Sequence, residues 1–336
     1  MTLRLMQVFL PGGPHTNLQT IFEHHEVLGT WSDSRGSDRA VLYLLIPADQ
    51  TEPIMDRLEQ SFAALDGFRV VLLSTEAVAP RPKPIVVEPS VEPPVPAPTF
   101  GRVSREELFN GVSDSLDVNR VFIGLACLSS IVAAVGLLRN DVAVIIGAMV
   151  IAPLLGPNVA MALATTLGDT VLLRRALTTN LVGVAGAFGV ALCVGFVVPI
   201  DPSVPALASR TSVGYDDLIL ALAAGSAGTL AFTRGLSGAV IGVMVAVALV
   251  PPLVVCGLML GAGLIALSTG ALLLVMTNVI CINLAGVTTF LAQGVRPRRW
   301  WEEAQARSAT RIAISILTFL LVALAVILSL RQARFP

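Results

Sequence analysis

The hydrophobic pattern divides the chain into a mixed N-terminal part and a long, mostly apolar C-terminal part. Residues 1–76 contain short apolar runs separated by turns, in the order strand, helix, strand, strand, helix, strand. This β-α-β-β-α-β order is typical of a ferredoxin-like α/β domain. Such a soluble domain can bind a small ligand, dimerise or dock onto another domain, and the pattern does not choose among these roles.

A Pro-rich linker follows the soluble domain. Eight of the 23 residues in 77–99 are proline, and the segment has no apolar periodicity. Such a segment adopts an extended polyproline conformation that rises about 3.1 Å per residue. Residues 100–120 then predict a juxtamembrane helix, with Ser104 as its cap and Glu107 in its first turn.

Long apolar runs make up most of the remaining chain. They lie at 121–138, 142–167, 176–200, 218–232, 236–260, 264–291 and 312–330. A helix of about 20 apolar residues crosses the hydrocarbon core of a bilayer. The runs therefore predict an α-helical polytopic membrane protein with about seven transmembrane helices. Residues 121–292 hold six of the spans, and residues 293–336 add a basic amphipathic segment and the last span.

Two of these runs are interrupted by helix-breaking residues. Pro153, Gly156 and Pro157 lie inside the run at 142–167, and Pro251 and Pro252 lie inside the run at 236–260. Each proline lacks a backbone donor and clashes with the preceding helical turn. The sequence therefore predicts two broken helices.

The two interrupted runs also resemble each other. When residues 146–168 are placed on residues 241–263 without gaps, nine of 23 positions are identical. Thr179-Asn180 resembles Thr277-Asn278 and suggests the same duplication, whereas chance matching of apolar residues is the alternative. The copies are the second and fifth spans, so each repeat holds three spans and the second copy is inverted. This 3+3 inverted repeat is a plan of many secondary transporters.

Polar and helix-breaking residues inside the spans mark a candidate solute path. A break must face protein or a water-filled cavity, because lipid cannot satisfy its backbone groups. A buried amide without a partner costs about 1–3 kcal/mol, so each intramembrane Asn needs a neighbour. The candidate residues are Pro153, Gly156, Pro157, Asn158, Asn180, Pro251, Pro252, Asn278 and Asn283. Kinked packing and hydrogen bonds between helices are the alternative explanation of the same residues.

Composition agrees with a membrane location and excludes several kinds of chemistry. Charged residues make up 13% of the chain and hydrophobic residues 54%, whereas soluble domains contain about 25% charged residues. The net charge of −1 argues against a nucleic-acid partner. The four cysteines lie far apart, which is not the spacing of a disulfide framework or a zinc site. We find no nucleophile–base pair or phosphate loop and expect no enzyme activity, metal or cofactor.

The distribution of arginine predicts the orientation. Eleven arginines fall on the side of the N-terminal domain and four on the other side. By the positive-inside rule the N-terminus is cytoplasmic, in a multi-pass protein of the bacterial cell (plasma) membrane. Residues 1–10 also lack the long apolar core of a signal peptide.

These patterns predict a transporter or channel for a small solute or ion with a cytoplasmic regulatory domain. A membrane-anchored sensor or scaffold without transport activity is the alternative. No charged residue lies at the middle of a span, which weakens proton coupling and favours a neutral solute, a channel or another coupling ion. The expected partners are the lipid bilayer and an unidentified solute or ion, and a homo-oligomer is left open.

Several motifs resemble one known family. They are Gly-Ala-Met-Val-Ile-Ala-Pro-Leu-Leu-Gly-Pro at residues 147–157, Gly168-Asp169, and Asn-Val-Ile-Cys-Ile-Asn at residues 278–283. This pattern is similar to the bacterial and archaeal membrane family called the uncharacterised hydrophobic domain, a domain of unknown function. The resemblance covers roughly residues 100–292, and the N-terminal unit looks like the soluble domain of some members. It implies an integral membrane protein and names no substrate.

Overall fold

A computed structural model describes most of the two folded parts of the chain. It describes residues 3–11, 22, 25–34, 39–75, 78, 104–235, 238–295 and seven residues between 314 and 323, without the side chains of 106 and 238–247. The predicted helix at 17–26, the linker at 77–99 and the seventh span at 312–330 lie wholly or mostly outside these residues. The chain forms two compact units, residues 1–107 and 108–336.

The first unit contains a four-stranded antiparallel sheet. Its strands are β1 (Leu3–Pro11), β2 (Gly29–Ser34), β3 (Arg39–Pro47) and β4 (Arg69–Ser74), with helix α1 (Thr51–Phe62) between β3 and β4. The spatial order is β2-β3-β1-β4. Alternation along β1 buries Met6 and Val8, which pack in one core with Ile54 and Leu58 of α1. The strands agree with those predicted for a ferredoxin-like domain.

Helix α2 (Arg105–Asp114) begins inside the first unit. Its predicted cap is confirmed, because the Ser104 hydroxyl accepts a hydrogen bond from the Glu107 N–H at 3.2 Å and Glu107 Oε2 accepts from the Ser104 N–H at 3.0 Å. The Glu107 carboxylate also pairs with Arg4, whose Nε lies 2.9 Å from Oε1. These contacts hold the beginning of α2 against β1.

The second unit is helical. Its helices are α3 (Arg120–Leu138), α4 (Val142–Ile151), α5 (Leu155–Leu167), α6 (Thr170–Val197), α7 (Tyr215–Thr233), α8 (Gly238–Gly261) and α9 (Ile265–Ala292), with one helical turn at Pro205–Ala208. Among the described residues, α3, α6 and α9 are long and apolar enough to cross a membrane. The bent pair α4–α5 is a fourth such span if it counts as one. The total of seven spans stays a prediction.

Helix α8 lies at the centre of the second unit. It packs against α3, α4, α6, α7 and α9. Its contact with α6 is close because glycines meet backbone there: a Cβ on Gly195 would collide with the Leu258 carbonyl oxygen, and one on Gly261 with the Leu192 carbonyl oxygen. Small residues at such crossings let helices approach closely in lipid, where apolar side chains gain little from leaving the solvent.

Polar side chains fix where the helices begin. The Asn119 side chain accepts a hydrogen bond from the Phe122 N–H at 2.8 Å and caps α3. Asp141 and Asp169 cap α4 and α6 in the same way. Each cap satisfies backbone donors that have no partner in the first helical turn.

The helix bounds recur along the chain. Helix α7 begins at Tyr215 and ends at Thr233, in each case 95 residues after the corresponding end of α3. Helix α9 begins and ends 95 residues after α6. The interval equals the offset that aligns the two proline-containing runs.

The turns recur at the same interval. Asn140 and Gly235 both have positive φ, 55° and 69°, and so do Gly168 and Gly263, with 69° and 77°. After each of the latter two glycines, the next N–H donates to the carbonyl five residues earlier, at 2.9 Å and 2.8 Å. This left-handed helix ending favours glycine because a Cβ is strained at positive φ.

The expectation of a second broken helix is wrong. Helix α8 continues from Gly238 to Gly261 with Pro251 and Pro252 inside it. A proline inside a helix removes one backbone donor and usually kinks or breaks the helix. Here the Asn278 side chain of α9 donates to the Ala248 carbonyl oxygen, whose helix partner would be residue 252.

The likeness between Thr179-Asn180 and Thr277-Asn278 does not follow the 95-residue interval. At that interval Asn180 corresponds to Val275, and Asn278 corresponds to Gly183. The two Asn side chains therefore hold different places in the first half of this unit, helices α3–α6, and in its second half, helices α7–α9.

The glycine contact between α6 and α8 predicts a difference between two matched alanine variants. Gly195→Ala places its Cβ against the Leu258 backbone, and overpacking of this kind costs about 1–3 kcal/mol. Gly189→Ala on the same helix meets no atom within 4 Å and gains helix propensity. We expect a lower thermal unfolding midpoint only for Gly195→Ala, measured on purified protein in detergent. Equal midpoints would contradict the close crossing.

Candidate functional site at the helix break

The break between α4 and α5 follows from the first proline. Ala152 is extended, with φ −64° and ψ 124°, as is favoured for a residue that precedes proline. Pro153 has no N–H for the carbonyl of Met149, so α4 cannot continue. Helix α5 begins at Leu155, with Gly156 and Pro157 in its first turn, where proline is tolerated. The two helix axes differ by 56°.

Two serines contact the break, and neither was among the predicted site residues. A Cβ on Gly156 would collide with the side chain of Ser115, so the close approach requires glycine there. The Ser129 hydroxyl donates to the Ala148 carbonyl oxygen in the last turn of α4, at 2.8 Å. Two adjacent serines in an apolar run were a usable signal for Ser129, whereas nothing in the sequence pointed to Ser115.

Asn158 and Asn180 form one polar pair beside the break. Asn158 is 1% exposed, and its Nδ2 donates to the Leu154 carbonyl oxygen at 2.8 Å. Its Oδ1 accepts from Asn180 Nδ2 of α6 at 3.4 Å. The structure therefore brings these two predicted residues together, next to the residue that precedes α5.

Asn278 lies at the prolines of α8. Its Nδ2 donates to the Ala248 carbonyl oxygen at 2.5 Å, and its side chain is buried. In a regular helix that carbonyl would accept from the N–H of residue 252, which is a proline here. The side chain of α9 thus supplies the donor that Pro252 lacks.

Asn283 does not join either group. Its Nδ2 donates to the Val279 carbonyl oxygen of its own helix at 2.9 Å. A hydrogen bond of this kind satisfies the amide inside an apolar span without reaching another helix.

The two proline regions are neighbours, with apolar side chains between them. Leu155 of α5 packs in one cluster with Ala248, Leu249 and Ile282. Leu154 belongs to the same buried core as Val250. The residues at the α4–α5 break and those beside the prolines of α8 therefore pack in the same apolar clusters.

The region is polar without being charged. Residues 142–167 and 238–292 contain no Asp, Glu, Lys, Arg or His. Within the described residues, no group of three or more His, Cys, Asp and Glu could hold a metal ion. Amide side chains and backbone carbonyls are the groups that the site offers, and they can bind a neutral polar solute or replace part of the hydration of an ion.

The chain is similar to a family of unknown function and to an uncharacterized protein. The model of the domain of unknown function DUF389 matches residues 149–284, which begin in α4 and end just after Asn283. The uncharacterized protein MJ0678 of Methanocaldococcus jannaschii is 33% identical over 329 residues, covering 98% of this chain and 99% of that protein. No solved structure is significantly similar to the chain. The chain belongs to the DUF389 family, a family defined by a domain of unknown function.

Proposed function

We propose that the protein moves a small solute or ion across the membrane, as a transporter or channel, along a path beside the α4–α5 break. The observation that carries this proposal is the broken helix with the hydrogen-bonded Asn158–Asn180 pair against it, in which Asn158 is buried and Asn180 half-buried. Broken helices with polar groups near the middle of the membrane form the solute sites of many transporters. The absence of charged side chains there favours a neutral solute or an ion other than the proton.

We further propose that the helices form a 3+3 inverted repeat. The shared interval of 95 residues between α3 and α7 and between α6 and α9 supports it. Helix packing supports it as well. Exchanging α3 with α7, α4–α5 with α8, and α6 with α9 turns the packing pairs α3–α4, α3–α6 and α6–α8 into α7–α8, α7–α9 and α5–α9, which are all present. With three spans in each half, the second half is inverted.

The proposal also covers the membrane orientation of the chain and the role of its N-terminal domain. The N-terminal domain is cytoplasmic and regulates the path, in a multi-pass protein of the plasma membrane without enzyme activity. The arginine distribution supports this orientation. The seventh span at 312–330 belongs to the same proposal.

One observation favours a scaffold without transport activity instead. The side-chain amide of each of the four candidate Asn residues donates a hydrogen bond within the protein. Such bonds stabilise packed helices in a membrane without any solute. A direct flux measurement separates the two functions.

The inverted repeat predicts opposite sides for two equivalent arginines. Arg139 and Arg234 end α3 and α7 and correspond at the 95-residue interval. In intact cells we expect a membrane-impermeant maleimide to label Arg139→Cys from outside, and to label Arg234→Cys only after permeabilisation. Labelling of both from the same side would contradict an inverted second half.

The solute path predicts a loss of flux in one conservative variant. Asn158→Leu removes the acceptor of Asn180 and the donor to Leu154. Because an unpaired buried polar group costs about 1–3 kcal/mol, we expect a fall of about tenfold or more in flux. The assay measures uptake of labelled neutral solutes and monovalent ions by proteoliposomes.

Thr166→Val is the matched control for that flux assay. Its hydroxyl donates to the Ala162 carbonyl oxygen of the same helix α5. It should keep the flux of the unmodified protein. Unchanged flux in Asn158→Leu across the panel would remove Asn158 from the path, and the absence of any flux would favour the scaffold.

The uncharged site predicts that flux does not depend on a proton gradient. No Asp, Glu or His lies in 142–167 or 238–292 to carry a proton. We expect uptake to stay within about twofold when a pH gradient is imposed or when a protonophore removes it. A stimulation that the protonophore abolishes would show proton coupling.

A further inference from the structure

The two halves differ at one equivalent pair of residues on their third helices. Gly183 of α6 and Asn278 of α9 correspond at the 95-residue interval, and each contacts the proline-containing helix of its own half. A Cβ on Gly183 would lie 2.8 Å from the Leu154 side chain at the break. Asn278 donates to the Ala248 carbonyl oxygen of α8. The proline-containing helix is broken in the half with glycine and continuous in the half with Asn.

The Ala248 carbonyl lacks its usual backbone donor within α8, so its hydrogen bond must come from a side chain. An α-helix would supply the N–H of residue 252, and a tighter 3₁₀ turn would supply that of residue 251. Both are prolines, Pro251 and Pro252, and neither has an N–H. A buried carbonyl without a donor costs about 1–3 kcal/mol, and lipid supplies no replacement.

We infer that Asn278 is a latch that keeps α8 a continuous helix across Pro251 and Pro252, and that its release lets α8 break there as α4–α5 does. In the broken form, the Ala248 carbonyl is no longer held in a helix whose residues 251 and 252 offer it no N–H. In the proposed inverted repeat, a broken α8 is the counterpart of the broken α4–α5. This last step rests on the proposed function, whereas the latch itself rests on the hydrogen bond and the two prolines.

The alkylation rates of two native cysteines measure how often α8 breaks at its prolines in the full-length protein. Cys256 lies one turn after Pro252, is 4% exposed, and its sulfur lies 3.5 Å from the Ser268 hydroxyl oxygen of α9. Cys281 of α9 is 0% exposed and reports general loosening of the unit. Mass spectrometry after timed alkylation with N-ethylmaleimide measures both rates in one sample, on protein in nanodiscs without added solute.

Asn278→Leu should raise the Cys256 alkylation rate by about tenfold, because the loss of the Asn278 donor raises the population of protein in which α8 is broken. The rate at Cys281 should change much less. Asn283→Leu is the matched control on the same helix, since Asn283 bonds its own helix at Val279. It should leave the Cys256 rate near that of the unmodified protein.

Pro252→Ala provides the decisive second variant, because it restores an N–H for the Ala248 carbonyl. In that background Asn278→Leu should change the Cys256 rate by less than about twofold. If Asn278→Leu alone does not yield folded protein, recovery of the Pro252→Ala/Asn278→Leu protein supports the latch. Failure of the double variant as well overturns it, because the lost carbonyl bond is then not the cause.

Two further results would overturn the latch. One is a Cys256 rate in Asn278→Leu that stays within about twofold of the unmodified protein. The other is an equal effect of Asn278→Leu with and without Pro252→Ala. Because the alkylation assay needs no solute, the latch can stand when the flux assay fails, and the reverse also holds.

Discussion

The architecture of the helical unit depends on the need to pair backbone groups where water is absent. In hydrocarbon every backbone N–H and C=O must find a partner inside the protein. Pro153, Pro251 and Pro252 lack the N–H groups that continuous helices would use at these positions. In the first half, α4 ends before Pro153 and α5 begins after it in a new direction. The second half responds by accepting a donor from the side chain of Asn278.

The difference between the halves is small in sequence and large in structure. Helices α3 and α7 have the same length, as do α6 and α9, and the left-handed turns recur 95 residues apart. Pro157 and Pro252 correspond, but Pro153 corresponds to Ala248 and Gly183 to Asn278. In the first half, Pro153 therefore ends the helix, and Gly183 has no side chain that could donate a hydrogen bond. In the second half the Ala248 carbonyl has no proline N–H to bond and accepts from the Asn278 amide instead.

The same need shapes the candidate site. Asn158 and Asn180 bond each other beside the break, and apolar side chains such as Leu155 join this region to α8 and α9. The polar groups are uncharged, so any solute that binds here is recognised by amides and carbonyls. The close glycine crossing of α6 and α8 holds the two halves together at their third and second helices.

The sequence by itself predicted the long helices of the described helical unit, because a long apolar run forms a helix where backbone groups must bond each other. The helix ends were predicted less closely, since α6 begins at Thr170, six residues before the predicted run. The sequence also predicted the strands of the first unit, the Ser104 cap, the family and the break at Pro153. It could not determine that α8 stays helical, or that Ser115 meets Gly156. A proline shows which donor is missing, but the replacement comes from a residue 30 positions away. Only the packing of α9 against α8 decided that an amide reaches the carbonyl, because that depends on which faces of the two helices meet.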